Sequence, residues 1–148
     1  MLKTRRNVVL GACATLALSA CGPEPALTIS AQGVAGMNPG PDGADRPLVI
    51  QVVQMSSAGA FDAADFFSLQ DPATALGGDF ISAEQIVLSP GAAQSVTVPI
   101  AAGATLVGFV AGFRSPEGKI FRLKTAAPAG AAGVILSVQP GGLSLQSV

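Results

Sequence analysis

The sequence contains no histidine, tryptophan or tyrosine among its 148 residues, and each absence excludes a class of function. Without histidine, Ser-His-Asp and Cys-His catalytic sites and histidine metal sites cannot be built. Without tryptophan and tyrosine, the usual aromatic platform for carbohydrates or single-stranded nucleic acids is missing. Catalysis would have to use carboxylates, lysine or serine alone. The composition therefore argues against an enzyme, and no cofactor or metal is expected.

The N-terminus has the features of an export signal. Three basic residues within the first six positions form a cationic start, and residues 8–18 form an uncharged apolar run. As a helix this run spans only about 16 Å, roughly half of the hydrocarbon core, so a transmembrane helix is not expected. The run ends in Leu-Ser-Ala-Cys, which resembles the bacterial lipobox. We predict a lipoprotein signal peptide over residues 1–20 and attachment of lipid, such as palmitate, at Cys21; an ordinary secretory signal that ends at a cysteine is the alternative.

Residues next to the cysteine predict the destination of the protein. Gly22 stands where many lipoproteins retained at the inner membrane have aspartate, so we expect the periplasmic face of the outer membrane. Residues 4–9 only weakly resemble a twin-arginine signal, which favours the ordinary secretion route. The Gly-Pro-Glu-Pro sequence of residues 22–25 cannot continue regular structure and is expected to act as a tether after the lipidated cysteine. The folded domain is then predicted over residues 26–148.

Removal of the signal would leave an acidic domain without a free thiol. The signal holds three of the eight basic residues and none of the nine acidic ones, so the formal net charge of the remainder is −4. Nucleic acid binding requires a basic surface, and this charge argues against it. Cys13 would leave with the signal and Cys21 would carry lipid, so the stability of the domain must come from packing.

Short apolar segments separated by glycine and proline predict β-structure. Most of them alternate apolar and polar residues, which is typical of half-buried strands, whereas residues 48–55 are nearly all apolar, as in a central strand. About eight such segments predict an all-β sandwich or barrel. The segments contain Leu27 and Ile29, residues 48–55, Ile86 and Leu88, residues 96–100, residues 106–113, Phe121 and Leu123, residues 134–138, and Leu143 and Leu145.

Residues 57–69 break this alternation, because their apolar residues follow helical spacing. A serine at position 56 or 57 is a candidate N-cap, and the Asp71-Pro72 pair is expected to end or bend the helix. We predict one added helix that covers one end of the sandwich; a partner-binding role is the alternative. Its predicted buried face consists of Ala63, Phe66 and Phe67.

Residues 32–47 are the second irregular segment, with four glycines and three prolines. A loop this long in a compact β-domain is more often functional than a short one. Val34 and Met37 are apolar residues within it, and they either anchor a partner or pack back onto the sandwich. For the whole segment, the alternative is an excursion without a role.

Several motifs follow one another in a recognisable order. They are Met-Asn-Pro at 37–39, Asp-Gly at 42–43, Arg-Pro at 46–47 before the strand 48–55, an Asp-Phe pair within 61–69, Leu-Gly-Gly-Asp at 76–79, Ile-Val-Leu-Ser-Pro-Gly at 86–91 and Val-Gly-Phe-Val-Ala-Gly-Phe-Arg at 107–114. This ordered set behind a lipobox resembles the TssJ family, the outer-membrane lipoproteins of type VI secretion systems. The resemblance covers most of the predicted mature chain.

The resemblance implies a transthyretin-like sandwich of two four-stranded sheets with an added helix, and a function without catalysis. It implies that the loop between the first two strands binds the periplasmic C-terminal domain of TssM, which joins TssL in the trans-envelope complex. On this chain that loop is residues 32–47. Arg46 could equally brace the loop from within. The candidate partner-binding residues are Val34, Met37, Asn38, Pro39, Asp42 and Arg46.

Two other functions remain open from the residues alone. A ligand-binding periplasmic lipoprotein would need a concave, polar-lined pocket, which the scarcity of aromatic and charged residues disfavours. A carboxylate-based hydrolase would need converging acids, and Asp62, Asp65 and Asp79 are the candidates. Asp62 and Asp65 lie three residues apart on the predicted helix and could share a face.

Overall fold

The protein, described here by a computed structural model, folds as two stacked β-sheets. The structure describes Gly22 and residues 24–148, so the predicted signal peptide and the lipid attachment site Cys21 lie outside the described residues. Eight strands form two sheets of four strands each. The prediction of an all-β, two-sheet sandwich is therefore confirmed.

The elements follow the chain with a single helical interruption. The first sheet has the strand order β4-β1-β7-β8 and the second has the order β3-β2-β5-β6. The strands are β1 (Ala26–Gly33), β2 (Leu48–Met55), β3 (Phe80–Leu88), β4 (Ala93–Pro99), β5 (Leu106–Ala111), β6 (Arg122–Ala126), β7 (Ala131–Gln139) and β8 (Gly142–Ser147); the helices are α1 (Gly59–Ala63) and α2 (Pro72–Leu76), with 3-10 turns at Ser68–Gln70 and Gly77–Asp79.

The core lies between the two sheets, where the inward rows of both meet. In β1, Leu27, Ile29 and Ala31 are buried, and the residues between them face outward, as the alternation predicts. β2 is buried along most of its length, because a second apolar cluster covers its outer face. Each fully buried Leu, Ile, Val or Phe side chain contributes about 1.5–3 kcal/mol relative to an exposed one.

The helical region differs from the single helix predicted over residues 57–69. Helix α1 ends at Ala63, because Ala64 is extended, with φ −71° and ψ 148°. The N-cap position of α1 is Ala58 without a side-chain cap, so neither serine has the predicted role. Asp71 begins a second helix instead of ending the first: its carboxylate accepts a hydrogen bond from the Thr74 hydroxyl at 2.7 Å.

The buried face of this region was predicted only in part, since Phe66 is half-buried, with its ring centroid 5.2 Å from that of Phe121. Phe61 and Leu69 are the residues that pack inward, whereas Ala63 is exposed and 78% of Phe67 is exposed. Phe61 and Leu69 cluster with residues of β2 and β5. The helical segment therefore covers the outer face of the second sheet, not one end of the sandwich. Gly108 leaves room for it, since a Cβ there would lie 2.7 Å from the Phe61 ring.

Strand direction divides the connections between two ends of the sandwich. The loop end carries the connections at 34–47, 89–92, 112–121 and 140–141, and the tether end carries the start of β1 at Ala26. The eight residues of β1 separate the two ends by about 25 Å, at about 3.3 Å per residue. Within the described residues, no helix has the length and apolar character needed to cross a bilayer.

Candidate functional site

The connection between β1 and β2, residues 34–47, contains a small hairpin over residues 38–46 and is called the hairpin connection. The Arg46 N–H donates to the Asn38 carbonyl at 2.9 Å, and the Gly40 N–H donates to the Ala44 carbonyl at 2.8 Å. Gly43 has φ of +80°, which is the left-handed position that a three-residue hairpin turn requires. These backbone hydrogen bonds give the predicted loop a defined shape, so it is not an irregular excursion.

Asp45 holds the first half of this connection. One of its carboxylate oxygens accepts the N–H of Gly36, and the other accepts the N–H of Asn38 at 3.0 Å. Gly36 has φ of +81°, so the chain turns sharply where this bond forms. No role was predicted for Asp45 from the sequence. The signal was present, because aspartate in a glycine-rich turn favours hydrogen bonds to nearby backbone N–H groups.

Asn38 ties the hairpin to the rest of the loop end. Its side-chain amide donates to the Pro47 carbonyl at 3.2 Å, and its side-chain oxygen accepts the Arg114 N–H at 3.0 Å. Only 2% of Asn38 is exposed. The residue was predicted to contact a partner, and this burial corrects the prediction: Asn38 positions the loop instead.

The prediction that Met37 contacts a partner is corrected by burial as well. Its side chain is fully buried and belongs to the main core. It fits because Gly33 has no side chain; a Cβ there would collide with the Met37 sulfur. Val34, by contrast, keeps 43% of its surface exposed, while its N–H donates to the Val138 carbonyl at 3.1 Å. Of the two apolar residues in the loop, Met37 therefore packs back and Val34 stays accessible.

The hairpin tip presents an exposed ion pair. Arg46 Nη2 lies 3.0 Å from Asp42 Oδ2, and the side chains are 42% and 58% exposed. Arg46 braces the tip, as one of its two interpretations holds, and contact with a partner stays a prediction for its exposed surface. An exposed pair of this kind contributes about 0–1 kcal/mol to stability. With half-buried Pro39, the accessible candidates are Val34, Pro39, Asp42 and Arg46.

Asp62 and Asp65 do not share a helix face as predicted, because α1 ends at Ala63, and Asp79 lies in the 3-10 turn before β3. Asp62 forms an ion pair with Lys124 on the outer face of the second sheet. Asp65 lies beyond the end of α1, and its carboxylate accepts the Ser68 backbone N–H at 2.8 Å. That backbone hydrogen bond, with a smaller contribution from the Ser68 side chain, lowers the pKa of Asp65. A lowered pKa is the opposite of what a general acid needs.

The described surface has two depressions relevant to the ligand-binding alternative. One lies on the outer face of β1 and β4 and is lined by Ser30, Gln32, Ala93 and Ser95 among others. The other lies at the tether end and is lined mainly by proline and alanine, with Glu24 and Ile100. Among the described residues, no group of three or more acidic side chains is arranged to hold a metal ion.

Comparison with protein families identifies the chain. The family model described as type VI secretion lipoprotein, with VasD, EvfM and TssJ as members, matches residues 25–139. The chain belongs to this family. The match runs from the tether through β7 and includes the whole hairpin connection. This type VI secretion lipoprotein is thus a membrane-associated structural component of such a system, and the TssJ resemblance is confirmed.

Solved structures have the same fold. The T6SS lipoprotein TssJ1 from Pseudomonas aeruginosa is 21% identical, with a TM-score of 0.78, over 85% of this chain and 98% of that one. Serratia marcescens Lip, described as a membrane-bound component of the type VI secretion system, is 22% identical, with a TM-score of 0.73, over 82% and 97%. A chain in the structure of the TssM C-terminal domain from EAEC is 22% identical, with a TM-score of 0.62, over 84% and 98%. A comparison with curated proteins found no match.

Proposed function

We propose that this lipoprotein joins the outer membrane to the periplasmic C-terminal domain of TssM, and through it to TssL, without catalysing a reaction. Lipid at Cys21 holds the tether end at the periplasmic face of the outer membrane. The hairpin connection at the opposite end binds TssM. The observation that supports this most is the placement of an ordered, partly exposed hairpin at the end of the sandwich opposite the tether.

The proposal of TssM as the partner has separate support. A chain with this fold occurs in a solved structure that is described by the TssM C-terminal domain. The hairpin is preorganised by Asp45 and Asn38, so little backbone entropy would be lost on binding. Contact would then fall on Val34, Pro39, Asp42 and Arg46, with Met37 and Asn38 fixing their positions from inside.

The hairpin contact is tested by exchanging the tip ion pair for alanine. We expect Asp42→Ala with Arg46→Ala to weaken binding of the TssM periplasmic domain at least about tenfold, or about 1.4 kcal/mol, in calorimetric titration. The matched control is Asp62→Ala with Lys124→Ala, which removes the other exposed ion pair of the described chain, on the outer face of the second sheet. Equal affinities for both double variants would contradict the hairpin assignment.

The anchor is tested separately by cell fractionation. Cys21→Ser should release the protein into the periplasm, because two or three acyl chains are what make membrane attachment stable. Gly22→Asp should shift the lipidated protein towards the inner membrane. If the Cys21→Ser protein still sediments with membranes and is released only by detergent, the lipid anchor is refuted.

A further inference from the structure

The four edge strands of the sandwich are not equally protected against pairing with another chain. Exposed edges usually carry charge, proline or a covering segment that prevents pairing. β6 carries Arg122 and Lys124, and β3 carries Glu84. β8 is covered where it begins, because its Leu143 N–H donates to the Ile120 carbonyl at 2.8 Å.

β4 has none of these devices along most of its length. Its seven residues carry no charge, and neither do the other three strands of the first sheet. Pro99 lies at the tether end of the strand, so proline blocks only the last position. The edge of β4 is therefore uncharged along all seven residues, and the part from Ala93 to Thr97 is open to pairing with another strand.

The register of the β1–β4 ladder shows which backbone groups are free. The Gly33 N–H donates to the Ala92 carbonyl at 3.0 Å, and the Ile100 N–H donates to the Pro25 carbonyl at 2.9 Å. Hydrogen-bonded pairs alternate with non-bonded pairs in an antiparallel ladder. The even-numbered residues of β4 therefore direct their backbone N–H and C=O groups to β1. The N–H groups of Ala93, Ser95 and Thr97 point away from the sheet, and no hydrogen bond within the described chain engages them.

From this edge we infer that β4 accepts an extended segment of the partner as a fifth strand of the first sheet. The inference rests on the proposed function, because the partner is the TssM periplasmic domain bound at the hairpin. The start of β4 adjoins the start of the hairpin connection through the Gly33–Ala92 hydrogen bond, so one partner surface reaches both. Added strands of this kind gain affinity from main-chain hydrogen bonds.

The side chains of β4 define the segment that fits. Ala93, Ser95 and Thr97 lie on the outer face, and the first two line the depression there together with Ser30 and Gln32. On the inner face, Val96 is only partly buried although it packs on the main core. The matching segment is extended and uncharged, with small polar residues on one face and an apolar residue that covers Val96 on the other.

A second copy of this chain fits the edge less well than a partner segment. Antiparallel pairing of two β4 strands would place the tether of one copy at the loop end of the other, about 25 Å away along β1. The five residues 21–25 reach at most about 18 Å when fully extended. Two copies standing upright on one membrane could not both reach it in that arrangement.

Amide hydrogen exchange of the mature lipoprotein in detergent, with and without the TssM periplasmic domain, tests the inference. In the free protein we expect fast exchange at Ser95 and Thr97 and slow exchange at Val96, whose N–H is directed to β1. Bound TssM domain should slow exchange at Ser95 and Thr97 at least about tenfold. Unchanged exchange at these two amides, in a complex that the hairpin double variant weakens, would overturn the strand addition and leave the proposed function standing.

Ser95→Pro and Ser95→Ala separate the backbone from the side chain. Both remove the hydroxyl, but only proline removes the outward N–H, which the fold itself does not use. We expect at least about tenfold weaker TssM binding for Ser95→Pro and unchanged binding for Ser95→Ala. Equal binding by the two variants contradicts the inference, as does exchange protection that grows with lipoprotein concentration alone, which would indicate a second copy. Failure of the wild-type protein to bind the TssM domain would overturn both proposals.

Discussion

At the scale of single residues, Asn38 fixes the candidate site, because its side-chain amide forms hydrogen bonds both across its own loop and with a distant connection. It donates to Pro47 across the hairpin and accepts from the Arg114 N–H in the connection between β5 and β6. Its burial follows from the second bond, whose partners are 76 residues apart. Local sequence shows an Asn-Pro turn at this point, but it cannot show that a distant N–H points at the asparagine.

Replacing Asn38 with alanine should destabilise the protein by about 1–3 kcal/mol, since the Arg114 N–H would lose its acceptor in a partly buried site. Urea denaturation followed by far-ultraviolet circular dichroism measures this loss. Asp42→Ala is the control in the same hairpin, and removal of its exposed ion pair should cost no more than about 1 kcal/mol. A loss for Asn38→Ala as small as that of the control would show that the amide does not fix the loop.

Asp65 should make the fold acid-sensitive. Its pKa is held below the 3.8 of a free aspartate, chiefly by the Ser68 backbone hydrogen bond. A carboxyl whose folded pKa is lowered stabilises the fold above its unfolded pKa, and this stabilisation is lost as the pH falls through the folded value. The midpoint temperature of thermal unfolding should therefore fall more steeply for the wild type than for Asp65→Asn as the pH is lowered from 5 to 2.5. Parallel curves for the two proteins would contradict this role.

At the scale of elements, strands were predictable and the helical segment was not. All eight predicted strand segments coincide with strands. Most alternate apolar and polar residues, which indicates one buried face, and residues 48–55 are nearly all apolar because both faces of that strand are covered. The prediction of a single helix was wrong because two aspartate carboxylates accept hydrogen bonds from nearby backbone groups. Asp65 accepts the Ser68 N–H, and Asp71 accepts the Thr74 N–H. These bonds compete with a continuous helix and divide the segment into short turns.

Gly108 in β5 controls how closely the helical segment packs on the second sheet. An added Cβ would lie 2.7 Å from the end of Met55 and from the Phe61 ring, so Gly108→Ala should cost about 1–3 kcal/mol through overpacking. Gly133 in β7 is the matched control, because its added Cβ would have no atom nearer than 3.7 Å. Denaturant unfolding of the two variants compares them, and equal stabilities would contradict close packing at Gly108.

At the scale of the whole molecule, the sandwich separates the two ends at which attachment is proposed. The tether leads into β1 at one end, and the hairpin connection leaves β1 at the other. The length of the loop and its glycine and proline content make it recognisable in the sequence, but which of its residues face outward depends on packing. From the sequence Met37 could anchor a partner or pack back onto the sandwich, and it packs into the core because Gly33 opens a space for it that only the assembled sheets reveal.

The central claim is that the protein bridges a membrane and TssM by opposite ends, and co-flotation with liposomes tests it most directly. Lipidated protein reconstituted into liposomes should carry the soluble TssM periplasmic domain to the top of a density gradient. The Cys21→Ser protein should bind TssM in solution but leave it at the bottom, and the Asp42→Ala, Arg46→Ala protein should float without TssM. Flotation of TssM with either variant at the wild-type level would contradict the account.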